Sequence, residues 1–452
     1  MTSSTPSPNS QIPEHFDPRY LVTLDELYHP GWVARKRHRM ALLGEALRYF
    51  WPKGHPTRLI HLTGTNGKGS VAHYLSQGLK FAGPTGSWTS PHVFDYAERI
   101  HLSGEKASHA AIVEVYNSLL RPYQQRLIAR TGGQGLSFAE LGVLLALHLF
   151  ERHGAVWAVI EVGAGGRYTP QMALEVDACA LTNVGNDHPK SLGEHVWQRA
   201  LEKGGIARPE KPLFTAAEGD AESWVVATAK AEGADCYVLS DAFCQQLRTH
   251  LSGPVAPHQV RNLGLACMLI RHFYPGRELA GLLASMQAHL PARFWSIAPN
   301  VIADVAHNAD KIAALSKQLA LRFPGKRFHF LLGLTRERDA ATVFAPLRDL
   351  AESVTLTNAS YAGRPLSVLY DSLAPLFPKL QAIADPQTAF HQLHQSLTQD
   401  QMLVLTGSAY MIDQALNTNP YLKHLNASFG WRGQNYTSPK TAGPCPPQPS
   451  SF

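Results

Sequence analysis

Cysteine is scarce. Five residues (Cys179, Cys236, Cys244, Cys267 and Cys445) in a chain of 452 form no CxxC pair and no His/Cys spacing of a zinc site. A disulfide-stapled scaffold and a structural zinc module are thereby excluded. An odd count with no secretion signal points to reduced thiols and a cytoplasmic setting. No run of about 20 apolar residues occurs, so no membrane-spanning helix is expected. The stretch Met1 to Pro13 is rich in Ser, Thr and Pro and lacks an apolar core, unlike a signal peptide. Charge of one sign is also in short supply: Lys+Arg 41 against Asp+Glu 35 leaves +6. The densest basic cluster, Arg35-Lys-Arg-His-Arg39, has no aromatic platform beside it. It reads as a solvated helix face rather than a nucleic-acid surface. No internal repeat is present, which excludes a solenoid.

What is present is alternation. The length favours two or three domains. Residues 1–16 read as a disordered leader and 427–452, rich in Ser, Pro, Gly and Asn, as a flexible tail. Between them, near-continuous apolar runs read as strands at Leu59–Leu62, Ala155–Val162, Ala178–Asn183 and Pro212–Ala216. Helices are expected over Ser70–Ala82 and Leu136–Phe150. Continuous rather than alternating apolar strands indicate a parallel sheet covered on both faces. A second series has strands at Val301–Ala306, Phe328–Leu332, Val354–Thr357 and Met402–Thr406, with helices near 309–322, 339–351 and 386–398. The proline in His289-Leu-Pro-Ala-Arg293 interrupts a helical pattern, so the expected division is 17–290 and 291–426.

The stretch His61-Leu-Thr-Gly-Thr-Asn-Gly-Lys-Gly-Ser70 carries the most chemistry. A buried strand runs into a glycine-rich turn and then a helix. Helix starts expose unpaired N–H groups and a partial positive charge, which suits phosphate. Gly64, Gly67 and Gly69 allow close backbone approach, flanked by Thr65 and Asn66; Lys68 would neutralise phosphate, and the Ser70 hydroxyl suits Mg²⁺. The general phosphate-loop pattern is broken at Leu62 and Gly69. A glycine turn that binds nothing is the competing reading.

Other candidates fall at strand ends. Glu161 opens into Gly163-Ala-Gly-Gly-Arg167, where a carboxylate suits Mg²⁺ or simply pairs with Arg167. The GxGxxG spacing fails, so hydride transfer is set aside. Asn186-Asp187-His188 follows the next strand; His188 is a metal ligand, a water-orienting group or a satisfied structural histidine. Lys203 precedes a Gly-Gly break and otherwise reads as a solvated helix lysine. Asp304-Val-Ala-His-Asn308 suits ribose or phosphate recognition, or a plain helix cap.

Taken in order, these pieces resemble the folylpolyglutamate synthase/dihydrofolate synthase branch of the Mur ligase superfamily, over most of residues 20–415. The resemblance rests on Gly64-Thr-Asn-Gly-Lys-Gly-Ser70, Thr89-Ser-Pro-His-Val93 with Glu98-Arg99, and Glu161-Val-Gly-Ala-Gly-Gly-Arg167. It continues through Asp187-His188, Glu202-Lys203-x-Gly-Ile206, His258-Gln259 with Asn262, Leu290-Pro-x-Arg293-Phe294, Asp304-x-Ala-His307-Asn308 and Gly407-Ser408. It implies an α/β fold: a parallel-sheet, P-loop ATPase-like central domain and a smaller Rossmann-like C-terminal domain. The implied activity is ATP-dependent amide ligation, in which a small-molecule carboxylate becomes an acyl phosphate and is attacked by an amino acid amine, usually that of glutamate. By this resemblance Ser70, Glu161 and His188 hold Mg²⁺, and Lys68 contacts the phosphates. Lys203 matches a lysine that is carbamylated in the family. Asn262, Arg293, Asp304 and His307 reach the nucleotide. A cytoplasmic monomer is expected, with neither nucleic acid nor membrane as partner.

The chain departs from the family at five places, the first two of which fall where the resemblance puts the pterin-bearing substrate. Tyr168-Thr-Pro-Gln-Met172 replaces Leu-Asp-Ala-Thr-Asn, and Ala139 replaces an aromatic in Ser137-Phe-Ala-Glu140. Pro189 follows Asp187-His188, Gly204 follows Lys203, and Glu337-Arg-Asp339 stands for Asp-Lys-Asp. Three functions remain open: a folate-type glutamate ligase, the same chemistry on another carboxylate, and a catalytically silent ATP-binding paralogue.

Overall fold

The computed structural model describes residues 17–28, 36–186, 189–251, 255–286, 294–335, 338–359 and 363–416. Among them, strands β1 (Arg58–Thr63), β2 (Thr85–Trp88), β3 (Ile100–Leu102), β4 (Glu105–Lys106), β5 (Trp157–Glu161), β6 (Ala178–Leu181), β7 (Leu213–Thr215) and β8 (Cys236–Val238) form one sheet. Its order is β4-β3-β2-β5-β1-β6-β7-β8. A second sheet comprises β9 (Trp295–Ala298), β10 (Val301–Asp304), β11 (Arg327–Leu332), β12 (Ala351–Leu356), β13 (Leu380–Ala382) and β14 (Gln401–Thr406). Its order is β13-β12-β11-β14-β10-β9.

The apolar runs become central strands because both faces of each sheet are covered. Leu59, Ala158, Ile160, Cys179 and Leu181 point into one core, against the helix Phe138–Arg152. Ile60, Leu62, Val159 and Ala180 point into another, against the helices Lys68–Gly78 and Pro257–Phe273. The second sheet is sandwiched in the same way. At roughly 25 cal/mol per Å² of apolar surface removed from water, this two-sided burial is the main force holding each sheet. The fold class expected from the sequence is the one observed: two mostly parallel α/β sheets.

The details differ in three places. The sheets are not wholly parallel: the β2–β3 and β3–β4 pairs are antiparallel at one edge of the first, and the β10–β9 pair at one edge of the second. The helix expected over 339–351 stops at Phe344, continues as a 3₁₀ turn over Ala345–Leu347, and gives way to β12 at Ala351. Pro346 lacks the N–H that would continue the helical ladder. The helix expected from Ser70 begins at Lys68 and yields to a 3₁₀ turn at Lys80–Ala82. The leader 1–16, the tail 427–452, the boundary 289–293, Asp187, His188 and Arg293 lie outside the described residues.

In the first sheet β1, β5 and β6 are parallel neighbours, so their carboxyl ends open on one side. That edge is where open α/β sheets bind ligands.

Candidate active site

The glycine turn leaves β1 and enters the helix Lys68–Gly78 through Gly67, which takes left-handed φ 81° and offers no side-chain cap. The first N–H groups of that helix are therefore left for an anion. Two glycines are required here by packing. A Cβ on Gly64 would lie 1.8 Å from Thr182 Oγ1, and one on Gly67 would lie 2.4 Å from Asn262 Oδ1. The turn is pinned from the end of β6. Asn183 Oδ1 accepts from the backbone N–H groups of Thr65 and Asn66, at 3.2 and 2.9 Å. Thr182 Oγ1 donates to the Asn66 carbonyl at 2.6 Å, and Gly185 N donates to Thr65 Oγ1 at 2.9 Å. Lys68 folds back onto the turn, its Nζ donating to the Gly64 carbonyl at 3.0 Å.

Glu161 ends β5 in register with Leu62, two residues before Gly64. It is 2% exposed, and its Oε2 accepts from Ser90 N at 3.2 Å. Arg167 pairs instead with Glu232 at 2.6 Å, so the alternative Glu161–Arg167 bridge does not form. Lys203 is likewise not a solvated lysine: it is 2% exposed, and its Nζ donates to the Gly64 carbonyl at 3.0 Å from behind the turn. Burying an ammonium is costly unless it is paired, so its place against the phosphate turn is a built feature.

Ser90 belongs to a segment that links both sheets. The Glu98 carboxylate gathers it by accepting from the N–H groups of Val93, Phe94 and Asp95. Val93 then joins the core of the second sheet, and the Phe94 ring meets Trp295 at 5.8 Å. His92 accepts at Nδ1 from Arg99 Nε at 2.8 Å, which leaves its Nε2–H to donate to Tyr28 OH at 3.3 Å. Burial, reinforced by the Arg99 charge, pushes His92 down to about 3, so it is neutral.

From the second sheet, Asp304 accepts from the N–H groups of Phe294 and Ala306, at 2.7 and 2.8 Å. His307 Nδ1 donates to the Val305 carbonyl at 2.7 Å, because a carbonyl can only accept. Its Nε2 then accepts from Lys311 Nζ at 3.3 Å. Asn308 caps the helix Ala309–Arg322, as the plainer reading of this motif held, but also reaches Asn66 across the lobes at 3.3 Å. The turn, Glu161, Lys203, Asn262 and Asn308 thus converge; the bonds just given for Asp304 and His307 stay within their own lobe.

Sequence reasoning passed over Asn183 and Thr182 as site residues, each a single polar residue at a strand end with no spacing signal of its own; it noted Ser90 within the Thr89-Ser-Pro-His-Val93 motif but not its bond to Glu161. Arg39 is also not simply solvated: its Nε donates at 2.8 Å to Glu140, which is 1% exposed and needs a cation. In the variant segment, Met172 is held by Arg208, whose side chain donates to the Met172 sulfur and carbonyl. Tyr168 stands 80% exposed.

A family model for the Mur ligase, glutamate ligase domain matches residues 293–409. A Haloferax volcanii protein named "probable bifunctional folylpolyglutamate synthase/dihydropteroate synthase" is 28% identical over 391 residues, covering 79% of this chain but 46% of that protein. The chain thus spans about half the length of that relative. The Bacillus subtilis dihydrofolate synthase/folylpolyglutamate synthase is 25% identical, with 79% of this chain and 90% of the other covered. A Mycobacterium tuberculosis folylpolyglutamate synthase structure, complexed with ADP, superposes with a TM-score of 0.76 at 22% identity, over 88% of this chain and 97% of that one.

Proposed function

This chain belongs to the folylpolyglutamate synthase/dihydrofolate synthase family of Mur ligases, and from that premise we propose that it joins glutamate to dihydropteroate or a folate at the expense of ATP. The observation that carries the reading is the convergence at one sheet edge: an uncapped helix start, buried Glu161, and buried Lys203 braced on the same glycine turn. A carboxylate is a poor electrophile because oxide would have to leave. Transfer of the ATP γ-phosphoryl group gives an acyl phosphate and ADP; the glutamate amine then attacks the acyl carbon and phosphate departs. The turn N–H groups and Lys68 offset charge on the phosphoryl oxygens, which is where electrostatic catalysis acts. The ADP complex of the M. tuberculosis relative supports a nucleotide here.

The residues also fit Mg²⁺. That ion is held by one or two carboxylates plus substrate phosphates rather than by an all-protein cage. Glu161 provides a buried carboxylate oxygen at the strand end, and Ser70 a hydroxyl in the first helical turn, with His188 completing the proposed set. When bound, the ion would supply charge neutralisation on the triphosphate. Carbamylation of Lys203 would keep one N–H on Nζ for the Gly64 carbonyl and replace a buried cation with an anion. Asn262, Arg293, Asp304 and His307 are proposed to face the nucleotide.

A second reading, the same chemistry on a different carboxylate, is favoured by one observation. The segment that carries an acid in the family is here a turn, with Thr169 and Gln171 buried and Met172 bonded to Arg208. An ATP-consumption screen of glutamate and other amino acids against dihydropteroate, folates and unrelated carboxylic acids, with mass spectrometry of products, separates the two. A glutamyl-folate product supports the first reading; turnover only with other acids supports the second; inactivity throughout refutes ligation.

A further inference from the structure

We propose that Asn308 is a positioning residue that ties the phosphate turn of the first lobe to the second lobe, so that the turn keeps its binding shape through that contact. The inference rests on the reading that residues 64–70 take the ATP phosphates. Asn308 is 4% exposed and uses both ends of its amide. Its Oδ1 accepts from Lys311 N at 2.9 Å, capping the helix Ala309–Arg322. Its Nδ2 donates to Asn66 Oδ1 at 3.3 Å.

Asn66 is the turn residue on which this contact has most leverage. Its main chain is already clamped from β6, the N–H by Asn183 and the carbonyl by Thr182. It directly precedes Gly67, the left-handed residue that starts the helix. With the Asn66 side chain held by Asn308, both its backbone and its side chain are fixed, one from each lobe. A neighbouring contact repeats the arrangement. Asp310 Oδ2 lies 2.5 Å from where a Cβ on Gly185 would stand, and Gly185 N bonds Thr65 Oγ1. The start of the second-lobe helix therefore rests on the phosphate turn and its β6 support together.

The residue type is demanding. Asp would cap the helix but has no donor, so it could meet Asn66 only after that amide turned over to present its Nδ2. Ser would cap it but is too short to reach. Asparagine alone among the good caps offers an acceptor and an N–H donor on one short side chain.

The test uses the full chain with N308S, N66S and the double variant. ATP dissociation, KM for ATP, KM for the acid acceptor and Tm are measured for each. Ser retains the cap, so N308S is expected to melt below the wild type only by what the lost Asn66 bond contributes, whereas N308A, measured alongside, loses the cap as well and melts lower still. KM for ATP rises about 3- to 10-fold in N308S, the loss one neutral hydrogen bond allows. KM for the acceptor does not change, and the double variant is no worse than the poorer single one. A cap-only role would lower Tm in N308A and leave both KM values unchanged in N308S and N66S. If N308S folds badly, N66S carries the test, because it leaves the cap intact. Unchanged ATP parameters in both single variants, or multiplied losses in the double variant, overturn the inference while leaving the ATP site standing. Failure of the unaltered chain to bind ATP overturns both.

Discussion

Replacing Gly67 with alanine should damage the phosphate turn by an amount that can be worked from its geometry. Gly67 sits at φ 81°, where an L-residue pays roughly 1–2 kcal/mol. A Cβ there would also stand 2.4 Å from Asn262 Oδ1 and 2.7 Å from its Nδ2, both closer than atoms approach. Asn262 is 7% exposed and has little room to withdraw. The backbone term alone lowers Tm by roughly 2–8 °C, taking about 2–4 °C per kcal/mol for a domain of this size. The steric term adds to it. Because the same residue aims the helix N–H groups, ATP affinity should fall by more than the stability loss would imply. Differential scanning calorimetry and ATP titration read the two effects. Adding N262A to G67A removes the clash but not the φ strain, so Tm should recover in part. A G67A variant with wild-type Tm and wild-type ATP affinity, or a double variant that melts no higher than G67A, would refute the packing argument.

Three further outcomes follow from the site. E161Q keeps an oxygen that accepts from Ser90 N but loses the charge; ligation should be abolished with Tm unchanged, and near-normal turnover would sink Glu161 as a metal ligand. K203A should lose activity, and added acetate should restore part of it by standing in for the carbamate; full activity without acetate rejects that role. Buried neutral histidines should make the chain acid-labile. Burial first, and neighbouring positive groups second, push His92 down to about 3 and His101 and His148 to about 4. Unfolding lets each take up a proton below about pH 6.5, so each stability contribution is intact above that pH. It is lost at about 1.4 kcal/mol per pH unit as pH falls toward the folded value. Chemical denaturation between pH 7 and 4 checks this, and a flat profile would contradict it.

The parts of this molecule that could be read from the chain are those whose chemistry is local. A strand, a glycine turn and a helix start must follow one another to make a phosphate cradle, and residues 58–78 do so in that order. The central strands β1, β5 and β6 were legible because burial on both faces demands unbroken apolar runs. β2 was not, although it is equally buried, because Thr85-Gly-Ser-Trp88 is no apolar run. The edges were not legible either. β4, β8 and β13 are two or three residues long and contain exposed positions, so no run announces them. Pro346 was available as a helix breaker and was outweighed by the apolar residues around it.

The contacts that brace the site were hidden for a different reason. Asn183 lies 117 residues from the Asn66 N–H it accepts, and Ser90 lies 71 residues from Glu161. Parallel registration of β1 with β6 brings the first pair together, and of β2 with β5 the second. Lys203 makes the point most sharply. On its helix it is one lysine among many, and its sequence neighbourhood argues weakly. Its meaning comes from the Gly64 carbonyl, 139 residues away, which it meets in a place sealed from solvent. Two anions of the proposed reaction would suit a lysine held at this place. They are the triphosphate and a carbamate formed on Lys203 itself. The acetate experiment separates them: rescue of K203A requires an anion at the side-chain position, whereas a lysine that serves only as a counter-charge to phosphate is not replaced by acetate.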